Sequence, residues 1–206
     1  MLRMLSTDPA DITHKVPAPS GRPRSFVPET ALRCALQVFW RKGYAATSLD
    51  DLTAAMQLSR SSFYACFGSK HAVLMAAVQT YADDCFLVFT AAATAAPDPI
   101  AAVQAVLAAI SDAEGGRRGC FFVNTVTELA PHDPALAACG QSHIARVSAL
   151  VSGLLVHAGF APALAEERAG AALALAMGTI TLRKAGLPAA RIRALLEQAQ
   201  TLLRAP

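Results

Sequence analysis

Apolar residues in this chain recur at three- and four-residue spacing and nowhere alternate cleanly, and its prolines and glycines fall where such runs end. That pattern constrains the fold more than any other feature. A period near 3.6 marks helices with one buried stripe, whereas a half-buried strand needs strict alternation. Alanine, leucine and valine dominate and aromatics are only 6% of the chain, which favours helices over a β-sandwich. The expected class is all-α.

The breaks divide the chain into about nine helices. Pro28 suits a first helical turn, and Leu32, Ala35, Leu36 and Phe39 carry a helix to about Arg41, where Gly43 stops it. Thr47 and Ser48 offer an N-cap to a second helix, with Asp50 and Asp51 in its first turn and Leu49, Leu52, Ala55 and Met56 on its apolar face. Ser59 can cap a short third helix in which Phe63 and Phe67 point inward. Further helices are expected over about residues 70–95, 100–114, 120–129, 134–157, 162–184 and 188–203, with Gly159 and Gly186 closing two of them. Residues 1–20 are rich in Pro, Ala, Ser and Thr without a period and are expected to be a disordered tail. The domain reading is therefore a tail (1–20), a basic arm and three-helix head (21–70), and a larger helical domain (71–206).

Charge and cysteine content narrow the function classes. Residues 1–71 hold nine Lys/Arg against five Asp/Glu, a balance of +4, while residues 72–206 hold nine against ten, a balance of −1. The positive end faces nucleic acid more plausibly than the rest does. Asp8, Pro9 and Asp11 interrupt the N-terminus before any signal-peptide core can form. No run reaches the roughly 18 apolar residues of a membrane span, so a cytoplasmic protein is expected. Five cysteines without a CxxC pair, and five histidines without metal spacing, point to no metal, no cofactor and a reduced compartment.

No enzyme is expected. Asp83 and Asp84 are adjacent and so point to different helix faces. His132 and Asp133 lie in a proline-flanked loop with no nucleophile at hand.

The head has what reading a major groove needs. A helix fits that groove if its exposed face carries small or hydrogen-bonding side chains and its ends meet phosphates. With Phe63 and Phe67 turned inward, Arg60, Ser61, Ser62, Tyr64 and Ala65 are left outside. The run Thr47-Ser48-Leu49-Asp50-Asp51-Leu52, followed by Ser59-Arg60-Ser61-Ser62-Phe63-Tyr64-Ala65-Cys66-Phe67-Gly68-Ser69-Lys70, resembles the DNA-binding signature of the TetR (tetracycline-repressor-like) family of regulators. Residue-level similarity covers about residues 27–74. Beyond it, Gly119-Cys120-Phe121-Phe122-Val123-Asn124-Thr125 is similar to the start of a helix in many relatives.

The resemblance implies a repressor with an N-terminal helix-turn-helix domain and a C-terminal ligand-binding and dimerisation domain. It places Arg60, Ser61 and Tyr64 at base edges or thymine methyls. Thr47, Ser59, Ser62, Tyr64 and Lys70 would meet phosphates, Thr47 and Lys70 at helix N-termini. Arg22 and Arg24 would reach a minor groove. Two departures stand out. Gln57 occupies a turn that usually carries glycine, and Cys66 replaces a usual histidine or aromatic on the reading helix.

Relatives carry an effector pocket in the C-terminal domain, where a ligand shifts the balance between DNA-competent and incompetent states. Phe86, Phe89, Phe121, Phe122 and Met177 supply apolar wall, and Asn124, Thr125, Thr127 and Glu128 supply polar anchors, which suits a small apolar or aromatic ligand. A thiol route is the alternative, through Cys66 or through Cys120, whose thiol pKa Arg117 and Arg118 would lower if close. A helical dimer that lost DNA binding is a further rival. The last two helices supply surplus apolar faces, with Leu173, Leu175, Ala176, Met177 and Ile180 on one and Ile192, Leu195, Leu196, Ala199 and Leu202 on the other. Small residues Ala169, Gly170, Ala172, Ala174 and Gly178 permit close approach, so a homodimer through these helices is expected to present two heads to successive major grooves of double-stranded operator DNA.

Overall fold

The computed structural model describes residues 28–111 and 116–199. Among these residues there are nine α-helices, one 3₁₀ turn and no strand. The helices are α1 (Pro28–Lys42), α2 (Leu49–Met56), α3 (Arg60–Phe67), α4 (Lys70–Thr94), α5 (Pro99–Ser111), α6 (Phe121–Leu129), α7 (Pro134–His157), α8 (Pro162–Lys184) and α9 (Ala189–Ala199). The 3₁₀ turn is Gly116–Arg118, just ahead of α6. The expected tail, Arg22 and Arg24 of the arm, and Leu202 lie outside the described residues.

Local chemistry sets the helix ends. Prolines open α1, α5, α7 and α8, where a missing N–H costs no helical bond. The Asp133 carboxylate caps α7, accepting from the backbone N–H of Ala135 (3.1 Å) and Leu136 (3.0 Å). Ser48, Ser59 and Ser69 cap α2, α3 and α4. Three helices end in the same paired motif, with a six-to-one and a five-to-two backbone bond closing the last turn. In α7 and α8 the left-handed residue is Gly159 or Gly186; in α2 it is Gln57, at φ 55° and ψ 42°.

Helices α1 to α3 form a small head. Phe63 is fully buried there and belongs to the same continuous core as Phe39, Leu52 and Met56. Helix α4 runs from this head into the larger bundle, packing on α1 at one end and on α5, α6 and α7 beyond. Helices α5, α7 and α8 complete the bundle, and α9 packs on α8. Buried hydroxyls tie elements together: the Thr179 hydroxyl donates to that of Ser111 at 2.9 Å, joining α8 to α5.

Helix α4 corrects one sequence expectation, because it is long and apolar enough by composition to cross a bilayer. Here it is a core helix. Val73, Leu74, Ala77, Val78, Tyr81, Ala82 and Phe89 are buried in the protein, and Asp83 and Asp84 pair with Arg146 and Arg33.

The expected dimer seam also divides. Leu173, Ala176, Ile180 and Ile192 are buried within the chain, whereas Gly170, Ala174, Leu175, Gly178 and Leu195 are exposed; Ala171 and Leu182, outside the expected set, are exposed beside them.

Candidate nucleic-acid interface and effector cavity

The α2–turn–α3 unit is held by short-range bonds. Ser48 and Asp51 form a reciprocal capping box: the Asp51 N–H donates to Ser48 Oγ (3.1 Å), and the Ser48 N–H donates to Asp51 Oδ2 (2.9 Å). Lys42 Nζ donates to the other oxygen of Asp51 at 2.6 Å, linking α1 to α2. These partners hold the Asp51 carboxyl well below the usual aspartate range, with Lys42 the largest cause.

Thr47 departs from its expected role. It is 1% exposed, and its hydroxyl donates to the Gly43 carbonyl at 2.6 Å. A buried, engaged hydroxyl is not placed to meet a phosphate. The exposed hydroxyl at the start of α2 belongs to Ser48.

Helix α3 presents the expected outer face. Arg60, Ser61, Tyr64 and Ala65 are exposed and Ser62 is half-buried, while Phe63 anchors the opposite side. Tyr64 is 54% exposed and stands edge-on to Phe63. Ser59 Oγ accepts from the Ser62 N–H (3.1 Å) and lies 2.9 Å from both the Ser61 and Ser62 hydroxyls, so three hydroxyls cluster at this N-terminus. Arg60 reaches back to α2, where its Nε and Nη2 donate to Asp50 Oδ1 at 3.2 and 2.6 Å. Asp50, expected only as a first-turn acid of α2, is the group that holds the guanidinium. Lys70 opens α4 with its ammonium 4.4 Å from the centre of the Tyr44 ring. Cys66 is half-buried on α3.

The main cavity, about 550 Å³, lies between α1, α4, α5, α6, α7 and α8. Phe89, Phe122 and Met177 line it as expected, together with Ile144, Val147 and Leu173. Four wall residues belong to α1, the first helix of the head: Arg33, Leu36, Gln37 and Trp40. Trp40 packs edge-on to Tyr81, their centroids 5.5 Å apart, and the Arg118 guanidinium lies 4.8 Å above the indole. At the rim, Arg33 on α1 and Asp84 on α4 pair at 2.8 Å. His143 stacks edge-on to Phe122 at 4.6 Å, and burial, helped by Arg146, lowers its pKa. Two buried nitrogens on these walls have no hydrogen-bond partner, Trp40 Nε1 and His143 Nδ1.

Other expected ligand residues fall elsewhere. Phe86 does not line the main cavity; its ring lies 4.0 Å beneath the Arg146 guanidinium. Phe121, Asn124, Thr125 and Glu128 line a second, smaller hollow of about 310 Å³ beside Tyr44 and the end of α1. Asn124 is engaged there, donating to the Arg118 carbonyl (2.7 Å) and accepting from Lys184 Nζ (3.0 Å). Thr127 is exposed and donates to the Val123 carbonyl. Alternate positions on a helix point to different sides, so α6 serves two hollows.

Cys120 does line the main cavity, but not as an activated thiol. Burial pushes its pKa up, which disfavours the reactive thiolate, and the expected lowering by Arg117 and Arg118 is not found. Tyr81 beside it is likewise pushed up by burial and by the neighbouring Cys120 and Cys85.

Two family profiles match the chain. Residues 31–77 match "Bacterial regulatory proteins, tetR family", and residues 96–198 match "Transcriptional regulator LmrA/YxaF-like, C-terminal domain". Over 121 residues, 57% of its length, the chain is 30% identical to the uncharacterized HTH-type transcriptional regulator YezE of Bacillus subtilis (strain 168). Over 135 residues, 62% of its length, it is 31% identical to the HTH-type transcriptional repressor ComR of Escherichia coli (strain K12). In each case the match spans 62% of the relative's own length. Among solved structures, a cysteine mutant of the TetR family regulator CifR bound to 26-base-pair operator DNA superposes with a TM-score of 0.74 at 27% identity, covering 90% of this chain and all of that one.

Proposed function

Because the chain belongs to the tetR family of bacterial regulatory proteins, we propose that it is a cytoplasmic transcriptional repressor that binds double-stranded operator DNA as a homodimer and leaves it when a small apolar or aromatic ligand enters the main cavity. The observation that carries the DNA part is the exposed α3 face from Arg60 to Tyr64, anchored from behind by fully buried Phe63 and capped at its start by Ser59. Arg60, Ser61 and Tyr64 read bases in this proposal. Ser48, Ser59, Ser62, Tyr64 and Lys70 hold phosphates, Ser48 taking the part that buried Thr47 cannot. The CifR complex, a family regulator seated on its operator, supports the same docking. In this proposal the head comprises residues 21–70 and the effector and dimerisation domain residues 71–206.

The exposed stripe of α8, with Ala171, Ala174, Leu175, Gly178 and Leu182, joined by Leu195 of α9, is the proposed dimer face. The cavity supports ligand release because α1 of the head forms part of its wall, so an occupant touches the DNA-binding domain directly.

The test is titration of the purified full chain against its own upstream DNA and against random DNA at several salt concentrations. The expected result is a preference of about 10³-fold or more for one segment, with both affinities falling as salt rises. Equal affinity for the two at every salt concentration removes the repressor reading.

A further inference from the structure

Arg60, the first residue of α3, has one edge of its guanidinium already engaged. Its Nε and Nη2 both donate to Asp50 Oδ1, at 3.2 and 2.6 Å. A guanidinium holds five N–H donors in a rigid plane, and these two belong to its side-on edge. The end-on edge, made by Nη1 and the second hydrogen of Nη2, has no partner among the described residues. The two side chains are 67% and 72% exposed, so that edge is open to a ligand.

Two parallel donors on a rigid fork match two acceptors side by side. In the major groove only the guanine edge supplies such a pair, O6 and N7. Adenine sets a donor beside its N7, thymine a methyl beside its O4, and cytosine offers a donor. The carboxylate that holds Arg60 comes from another helix. Asp50 lies in the first turn of α2, whose start is held by the Ser48–Asp51 capping box and by Lys42 on Asp51. Asp51 is thus engaged within the head, whereas the Asp50 carboxylate has Arg60 as its one partner among the described residues. Arg60 is the only charged residue of α3. An ion pair this exposed adds little to fold stability, so its consequence is geometric. It restrains a long side chain and decides which edge is left free. The pair strengthens when docking displaces water and lowers the surrounding dielectric.

We propose that Asp50 is a positioning residue that holds Arg60 side-on, so that the free end-on edge reads a guanine in each operator half-site. The proposal rests on the DNA-binding reading above and deepens it, naming the base that Arg60 selects and the residue that sets the selection. An unrestrained arginine also finds phosphates, which carry no sequence information. Engagement by Asp50 removes part of that freedom and makes a general cation discriminate.

The full-length protein is used to select duplexes from a random-sequence pool, and the selected half-sites of wild type and Arg60→Ala are compared. The position whose preference disappears in Arg60→Ala is expected to be G·C. Replacing that guanine by 7-deazaguanine, which lacks the N7 acceptor, should weaken wild-type binding about tenfold and change Arg60→Ala by less than about threefold. Asp50→Ala is then titrated against the selected duplex and its single-base variants. Discrimination at the Arg60 position should fall from about tenfold or more to within about threefold, while the other positions keep theirs. Random DNA should bind Asp50→Ala more tightly, with a salt slope steeper by about one, as the released guanidinium reaches phosphate. A damaged α2–α3 packing would weaken binding at every position alike, so confinement to one position separates positioning from support. Asp50→Asn, which keeps the shape and removes the charge, takes the place of Asp50→Ala if the latter loses its helical circular dichroism.

Wild-type discrimination in the Asp50 variant overturns the proposal. So does an Arg60 position that is not G·C or that is indifferent to 7-deazaguanine. In these cases sequence-specific binding persists and the repressor reading stands. A pool from which the wild type enriches no sequence overturns the repressor reading and this proposal with it.

Discussion

Replacing Gln57 by glycine is expected to stabilise the protein. Helices α2, α7 and α8 end in the same hydrogen-bonded motif: Leu58 N–H to Thr53 O (2.9 Å), Phe160 N–H to Leu155 O (3.1 Å) and Leu187 N–H to Leu182 O (3.0 Å). In α7 and α8 the left-handed position is glycine, at φ 95° and 99°, and only in α2 does it carry a side chain. A residue with a Cβ held in the left-handed region costs roughly 1–2 kcal/mol, because Cβ crowds the following carbonyl. Glycine removes that cost but gives back roughly 0.5–1 kcal/mol in unfolded-chain entropy. Gln57 is exposed and has no side-chain hydrogen bond in the turn, so little packing is lost. The net gain is about 0.5–1 kcal/mol, which for a chain of this size raises Tm by about 1–4 °C. Thermal unfolding of the full chain, followed by circular dichroism, measures it. An unchanged or lower Tm would show that the Gln57 side chain compensates its backbone and that the strain argument is wrong.

Arg60→Ala is expected to weaken specific operator binding by about 1–3 kcal/mol and relax discrimination at one base pair. Because its ion pair with Asp50 is solvent-exposed, Tm should move by no more than a few degrees, and a large drop would make Arg60 structural. Thr47→Val leaves the Gly43 carbonyl without its buried partner and should cost about 1–2 kcal/mol of stability with little change in operator affinity per folded molecule, whereas Ser48→Ala should lower both. A selective loss of DNA affinity in Thr47→Val would return that residue to the phosphate contact. Asp51, Asp83 and Asp133 all have folded-state pKa values below the usual aspartate value, so their stabilisation is complete above about pH 4 and is lost as pH falls further. The His143 pKa is lowered in the fold, so the unfolded chain takes up its proton first and stability should begin to decline below about pH 6.5. Melts from pH 3 to 8 should show both steps, and His143→Gln should erase the upper one only; persistence of the upper step in that variant would assign it to another group.

The architecture was legible because punctuation is a local property. Pro28, Pro134 and Pro162 each open a helix where the sequence places it, and Gln57, in the turn that usually carries glycine, is found as a left-handed residue. The face of α3 followed from Phe63 pointing inward. Side-chain environments were less legible, since neighbours in space decide them. Thr47 and Ser48 are adjacent hydroxyls, and only the path of the chain after Gly43 buries one and exposes the other. Cys120 sits close in sequence to two arginines, yet burial rather than their charge sets its pKa. The apolar residues of α4 face several partners, so periodicity did not separate Phe89, in the cavity wall, from Phe86, beneath Arg146.

The largest omission was Trp40, and its cause bears on how the protein would work. Read along the chain, Trp40 belongs to the first helix of the head and looks like head core. In space it contacts Tyr81 of α4 and Phe121 of α6, lines the main cavity and lines the second hollow as well. Arg33, about two helical turns earlier on α1 and exposed, closes the cavity rim with Asp84 of α4. Helix α1 is thus packed as much on the effector bundle as on α2. A ligand that moved only α4 would have to break that packing to turn the head. A ligand that contacts α1 and α4 together acts on both walls of the joint at once. The energy available for release is then the difference in ligand contact between the two placements of α1, and no coupling through distant helices is required.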